Sequence, residues 1–97
     1  MKSVHDLDEY EIRTILSIVY PGWQDDRYEV MKEKVENGSR VIIFRSKMTT
    51  GLRRKYDVIL HENYDLDLFE TYINTGSKGK IEIRNVIAYV QFLQSLQ

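Results

Sequence analysis

The sequence predicts an α+β fold, on three observations. Two apolar runs rich in β-branched and aromatic residues, Val41-Ile42-Ile43-Phe44 and Tyr56-Asp57-Val58-Ile59-Leu60, read as adjacent strands. The segment before them carries apolar residues at helical spacing, and so does the segment after Asn85. The strands follow one another through short links, which implies an antiparallel meander of three to four strands with helices on one face. The expected order is two N-terminal helices, the meander, and a C-terminal helix, all within a single domain spanning residues 1–97.

The first helix is expected from Asp6 to Val19. Asp6 stands three positions before Glu9 in capping-box spacing, and Ile12, Ile15, Leu16 and Val19 share one face. Tyr20-Pro21-Gly22 ends it, because proline restricts the preceding residue and glycine permits the turn. A second helix is expected from Gln24 to Glu36. Its first turn holds Asp25 and Asp26, its end holds Lys32 and Lys34, and Tyr28, Met31 and Val35 form a narrow apolar stripe. Trp23 anchors its entry, and Asn37-Gly38 reads as its terminator.

The first strand, Arg40 to Arg45, is apolar on both faces at its centre, as expected of a strand covered on both sides. The second, Tyr56 to Glu62, alternates with Tyr56, Val58 and Leu60 on one face. Leu66 to Ile73 fits both a strand and a helical face; a strand is preferred, because Asn63-Tyr64-Asp65 and Asn74-Thr75-Gly76-Ser77 are turn-like on either side. Lys80 to Arg84 alternates as a short fourth strand and equally fits the opening of the last helix, in which Val86, Val90, Leu93 and Leu96 follow the cap Asn85.

Charge is distributed unevenly. The net charge is −1, yet residues 39–60 hold Arg40, Arg45, Lys47, Arg53, Arg54 and Lys55 against Asp57 alone, a local +5. The flanking segments, residues 1–38 and 61–76, each carry −4. If the link between the strands closes through a two-residue turn at Thr50-Gly51, Lys47 faces Arg54 and Met48 faces Arg53, and like charges so placed destabilise by up to about 1 kcal/mol. An acidic surface or phosphate would offset this, although charged side chains also protect a protruding hairpin from edge-to-edge aggregation.

Composition excludes several chemistries. There is no cysteine, hence no disulfide, thiolate metal site or cysteine nucleophile. No stretch approaches the roughly 18 apolar residues of a membrane span, and the start turns acidic before any apolar run, so a cytoplasmic location without membrane partners is expected. His61 with Glu62, Asp65, Asp67 and Glu70 loosely resembles a ligand set for a divalent cation but reads better as a solvated acidic edge. Gly76-Ser77-Lys78-Gly79-Lys80 lacks the first glycine and the final Ser or Thr of a phosphate loop and reads as a turn. His5 belongs to a frayed terminus, and His61 needs no special role on the outward face of its strand. No catalytic residue, metal ligand or cofactor is assigned.

The aromatic load is high, with seven tyrosines and one tryptophan. Tyr10, Tyr20, Tyr28 and Tyr64 fall at element ends or on weakly apolar faces, whereas Tyr56, Tyr72 and Tyr89 suit a core. The sequence therefore predicts a non-enzymatic accessory or regulatory protein, a profile common among small proteins of mobile genetic elements. It would dock an acidic protein partner, or a second copy of itself, through a basic hairpin and exposed tyrosines. The contact residues are Arg45, Lys47, Arg53, Arg54 and Lys55, with Met48 and Leu52 at the tip. The competing expectation is a nucleic-acid-binding module that sets the same hairpin against phosphate.

Overall fold

The computed structural model describes residues 3–20, 22–47, 54–61, 71–74, 78–84 and 86, with backbone only for 71–74 and 78. Within them one helix, α1 (Glu9–Val19), covers a five-stranded mixed sheet of β1 (Tyr28–Glu36), β2 (Ser39–Ser46), β3 (Lys55–Leu60), β4 (Thr71–Asn74) and β5 (Lys78–Ile83). The strand order is β1-β2-β3-β5-β4. The α+β class expected from the sequence is thus present, with a different arrangement of elements.

The start of the chain is fastened by two successive capping boxes. Ser3 and Asp6 reciprocally bond each other's backbone around a 3-10 turn, Val4–Asp6, and Asp8 and Glu11 do the same at the entrance to α1. The helix therefore starts at Glu9 and not at Asp6, and His5 lies in a capped turn instead of a frayed end. Ile12, Ile15 and Leu16 point from α1 into the core, joined by Val4 and Leu7 from the capped segment. Truncating a side chain as enclosed as Leu16 to alanine costs about 2–5 kcal/mol.

Residues 24–36 do not form the second helix. They contain a short 3-10 turn, Asp25–Arg27, and then β1, which pairs antiparallel with β2 from Tyr28↔Ser46 to Glu36↔Ser39. Asn37-Gly38 is the reason. Both residues take positive φ, 52° and 79°, the backbone of a two-residue hairpin turn whose twist matches its strands. What looked like a helix terminator instead folds the chain back on itself. A register shift between Val30 and Lys32 interrupts the alternation of β1, and most of its side chains lie exposed on the sheet's edge.

The antiparallel meander is also replaced. β2 and β3 pair antiparallel, but β5 lies parallel to β3, and β4 takes the outer edge antiparallel to β5. The inner place suits β5 because Ile81 and Ile83 are fully buried opposite Val58 and Leu60. Lys78, Gly79 and Lys80 accordingly begin a strand and do not form the turn expected of them. The expected strand over 66–73 survives as β4; residues 66–70 and the expected C-terminal helix lie outside the described residues, apart from Val86, which is buried in the core.

One face of the sheet collects Ile42, Phe44, Tyr56, Val58, Leu60, Ile81 and Ile83 against α1 and Trp23. Arg40, on that same face, fastens the N-terminal segment to the sheet. Its guanidinium donates to the carbonyls of Val4 (3.2 Å) and Leu7 (2.5 Å) and pairs with Glu33 of β1. With these bonds lost, Arg40→Ala is expected to lower stability by about 2–3 kcal/mol, and Arg40→Lys, lacking the fork, to restore less than half of it; urea unfolding checks both.

Candidate functional site

The side chains with most chemical potential gather where β1, β2 and β3 meet the segment leaving α1. Trp23 is the hub. It is 7 % exposed, stacks on Tyr28 with centroids 4.4 Å apart, and meets Phe44 and Tyr56 edge-on at 5.3 and 6.0 Å. Tyr20 and Tyr28 in turn lie 6.2 and 5.5 Å from Tyr56. The register that sets Phe44 opposite Tyr56 aims both rings at this cluster.

A polar knot fixes the cluster from outside. Arg13 of α1 donates to the carbonyl (3.0 Å) and carboxylate (2.9 Å) of Asp25 and to the carbonyl of Tyr28 (3.1 Å), with its guanidinium carbon 5.3 Å from the Phe44 ring centre. The Trp23 indole donates to the same Asp25 carboxylate at 2.9 Å. Burial by itself would raise the Asp25 pKa, but the bonds from Trp23 and Arg13, with the charges of Arg13 and Lys47, outweigh it and hold the carboxyl below its ordinary value.

Beside this knot lies a cavity of about 510 Å³, lined by Tyr20, Gly22, Gln24, Arg27, Tyr28, Ser46, Arg54 and Tyr56. Three phenols and two guanidiniums therefore face one space, and no carboxylate is among its described lining. Tyr56 is the common neighbour of Tyr20, Tyr28 and Arg54 around this space. Burial, and then the proximity of Tyr56, raise the pKa values of Tyr20 and Tyr28 above their ordinary value. Arg54, its charged form favoured by the neighbouring Tyr56, remains a cation.

The basic residues singled out from the sequence do not form one stripe. The β2–β3 register pairs Arg45 with Lys55, one residue away from the expected alignment, and the Ser46 amide donates to the Arg54 carbonyl at 2.9 Å. Alternation then puts Arg54 on the helix-covered face with Tyr56, and Arg45 and Lys55 on the other. Arg45 is not available as a lone charge, because Glu29 of β1 pairs with it at 2.9 Å and offsets the like-charged Lys55 opposite. Lys47, Arg54 and Lys55 make no ion pair with a described carboxylate, and neither does Arg27, which sequence reasoning did not single out. Met48, Leu52 and Arg53 lie outside the described residues.

Tyr10 is exposed and Tyr56 is core, as expected; Tyr64 and Tyr89 lie outside the described residues. Missed from the sequence was the convergence of Tyr20, Tyr28 and Tyr56, because reading residues 24–36 as a helix removed Tyr28 from the sheet. Also missed was His61, which accepts or donates at Nδ1 with Ser39 Oγ (2.8 Å) and at Nε2 with Glu82 Oε1 (3.1 Å). This serine, histidine and carboxylate array crosses β2, β3 and β5 on the face away from α1. It has the polarity of a nucleophile relay, yet neither this cavity nor the one formed by Met31, Ile43, Lys55, Asp57, Gly79 and Lys80 includes any of the three residues. It reads as a cross-strand polar ladder.

Among the described residues no group of three or more His, Asp or Glu gathers as metal ligands do, and Glu62, Asp65, Asp67 and Glu70 lie outside them. No described helix is long and apolar enough to cross a membrane.

Because the Asp25 pKa is depressed in the folded protein, its stabilisation is complete above the ordinary value of 3.8 and is lost as pH falls through the lower folded-state value. Asp25→Asn is expected to cost about 1 kcal/mol at neutral pH after solvent screening, and to flatten the acid limb of the stability profile followed by Trp23 fluorescence. The tyrosines work in the opposite direction: their folded-state values are raised, so their contribution is full below the ordinary value of 10.0 and fades above it. An alkaline titration read by phenolate absorbance is expected to show two tyrosines ionising late, and Tyr56→Phe to bring them earlier. Comparison with family models, with curated proteins and with solved structures gives no match to this chain.

Proposed function

We propose that the protein is a non-enzymatic binding module, a small accessory or regulatory factor that docks an acidic surface of another protein. The observation that carries this reading is the cluster of cations at one end of the sheet that have no ion-pair partner among the described residues. Arg27 and Arg54 line one space with the half-buried Tyr20 and Tyr28, Lys47 is bonded through its backbone to Arg27, and Lys55 lies on the reverse face, whereas Arg40 and Arg45 are already paired with Glu33 and Glu29. Complementary charge would steer the encounter and fix its register, and Tyr20 and Tyr28 supply ring area at low entropic cost. Met48, Leu52 and Arg53, between the two strands in sequence, extend the proposed contact. A second copy of the chain, presenting its own acidic residues, is a special case of the same docking.

A nucleic-acid interface is the second reading, since the same cations suit phosphate. It is disfavoured by the net charge of −1 and by the split of the basic residues between two faces, which prevents them from following one backbone together.

Charge reversal tests the docking. Immobilised protein carrying Lys47→Glu and Arg54→Glu is expected to keep the wild-type melting temperature within a few degrees. It should also recover at least tenfold less of the protein that the wild type captures and cross-links near Arg54. Undiminished recovery would reject the reading. Retention of the wild type on a DNA or RNA column at about 50 mM salt, lost steeply as salt rises, would favour nucleic acid instead.

A further inference from the structure

We infer that the cavity between Tyr20, Tyr28, Tyr56, Arg27 and Arg54 is a binding site for a phosphomonoester. The argument is one of supply and demand in hydrogen bonds. A guanidinium carries five N–H donors and no acceptor, and a phenol one donor, so the side chains lining the cavity hold more donors than lone pairs to receive them. Arg27 brings a second guanidinium, with no ion-pair partner among the described residues, to the same wall, and Gln24 adds an amide. The lining is therefore rich in donors and positively charged, with no described carboxylate to neutralise it.

The ligand that completes such a lining is an anion with several acceptor oxygens. A carboxylate offers two oxygens in one plane and a single charge, enough for one guanidinium. A phosphomonoester offers three terminal oxygens, directed tetrahedrally, and up to two charges, which matches two guanidiniums approaching from separate elements plus the phenols between them. The two arginines do come from separate elements. Arg27 closes the 3-10 turn before β1, and Arg54 immediately precedes β3. A cavity of about 510 Å³ also leaves space beyond the phosphate for the organic group that carries it. The scaffold is built before the ligand arrives. Tyr56 is 1 % exposed, and Tyr28 is held between Trp23 and the carbonyl bond from Arg13, so little ordering remains to be done on binding.

This inference does not rest on the docking proposal, and its test needs no partner. Phenyl phosphate, adenosine 5′-monophosphate, benzoate and inorganic phosphate are titrated separately into the full chain, followed by calorimetry and by Trp23 fluorescence. Saturable one-to-one binding of at least one phosphomonoester is expected, tighter than benzoate by tenfold or more. A preference for phenyl phosphate assigns the carrier to a phosphorylated side chain, and a preference for the nucleotide assigns it to a nucleoside. Arg27→Gln and Arg54→Gln, both at exposed positions, are each expected to weaken binding roughly ten- to hundredfold, and binding is expected to weaken as pH falls below about 6, where the phosphate loses its second charge. Tyr56→Phe supplies a check that alters no charge. The inference is overturned if no phosphomonoester saturates the protein, if benzoate binds equally well, or if the Arg27→Gln and Arg54→Gln double variant keeps wild-type affinity.

Discussion

The pairing of Phe44 with Tyr56 beneath Trp23 is the constraint on which the rest of the molecule turns. Two large rings, side by side on neighbouring strands and almost wholly enclosed, leave β2 and β3 one alignment that buries both. A slip of one residue would carry Tyr56, Val58 and Leu60 to the opposite face together. That alignment also decides where the polar groups go. It sets the Tyr56 hydroxyl at the end of the core, and it sends Arg54, two residues earlier, to the same face. The cavity with its phenols and guanidiniums follows from how the hydrophobic face is packed.

Electrostatics then divides the basic residues into two populations. β1 carries Glu29 and Glu33 against β2, and each neutralises one arginine, Arg45 on one face and Arg40 on the other. The like-charged neighbours Arg45 and Lys55 are tolerated because an acid stands across from the first of them. The cations beyond the reach of those acids gather at the end of the sheet near Trp23. Asp25, whose carboxyl feels the charge of Lys47, is held by the indole and by Arg13 and serves the scaffold.

Much of this was legible in the sequence, and its limits have physical causes. The face formed by Ile12, Ile15 and Leu16, the strands around Val41–Phe44 and Tyr56–Leu60, and the alternation of Lys80-Ile81-Glu82-Ile83 all bury as their periodicities imply. Residues 28–36 misled because the shift after Val30 breaks the two-residue rhythm, leaving Tyr28, Met31 and Val35 at spacings that imitate a helix. Asn37-Gly38 serves a helix end and a hairpin turn equally well, since both require positive φ. The parallel contact of β3 with β5 is non-local and has no signature in a single chain. The same holds for the cavity, whose phenols come from residues 20, 28 and 56, and for His61, whose partners stand 22 and 21 positions away.

The irregularity at Met31 carries one more implication. Because one residue of β1 is left out of step there, Glu33 and Val35 fall on the side of the sheet that α1 covers, and Lys32 and Lys34 on the reverse. Were Met31 to take a regular place in the ladder, every residue after it would change sides, bringing both lysines toward the Arg40 guanidinium and carrying Glu33 away from it. It is the exclusion of this methionine from the ladder that makes the charges after it count from the correct side.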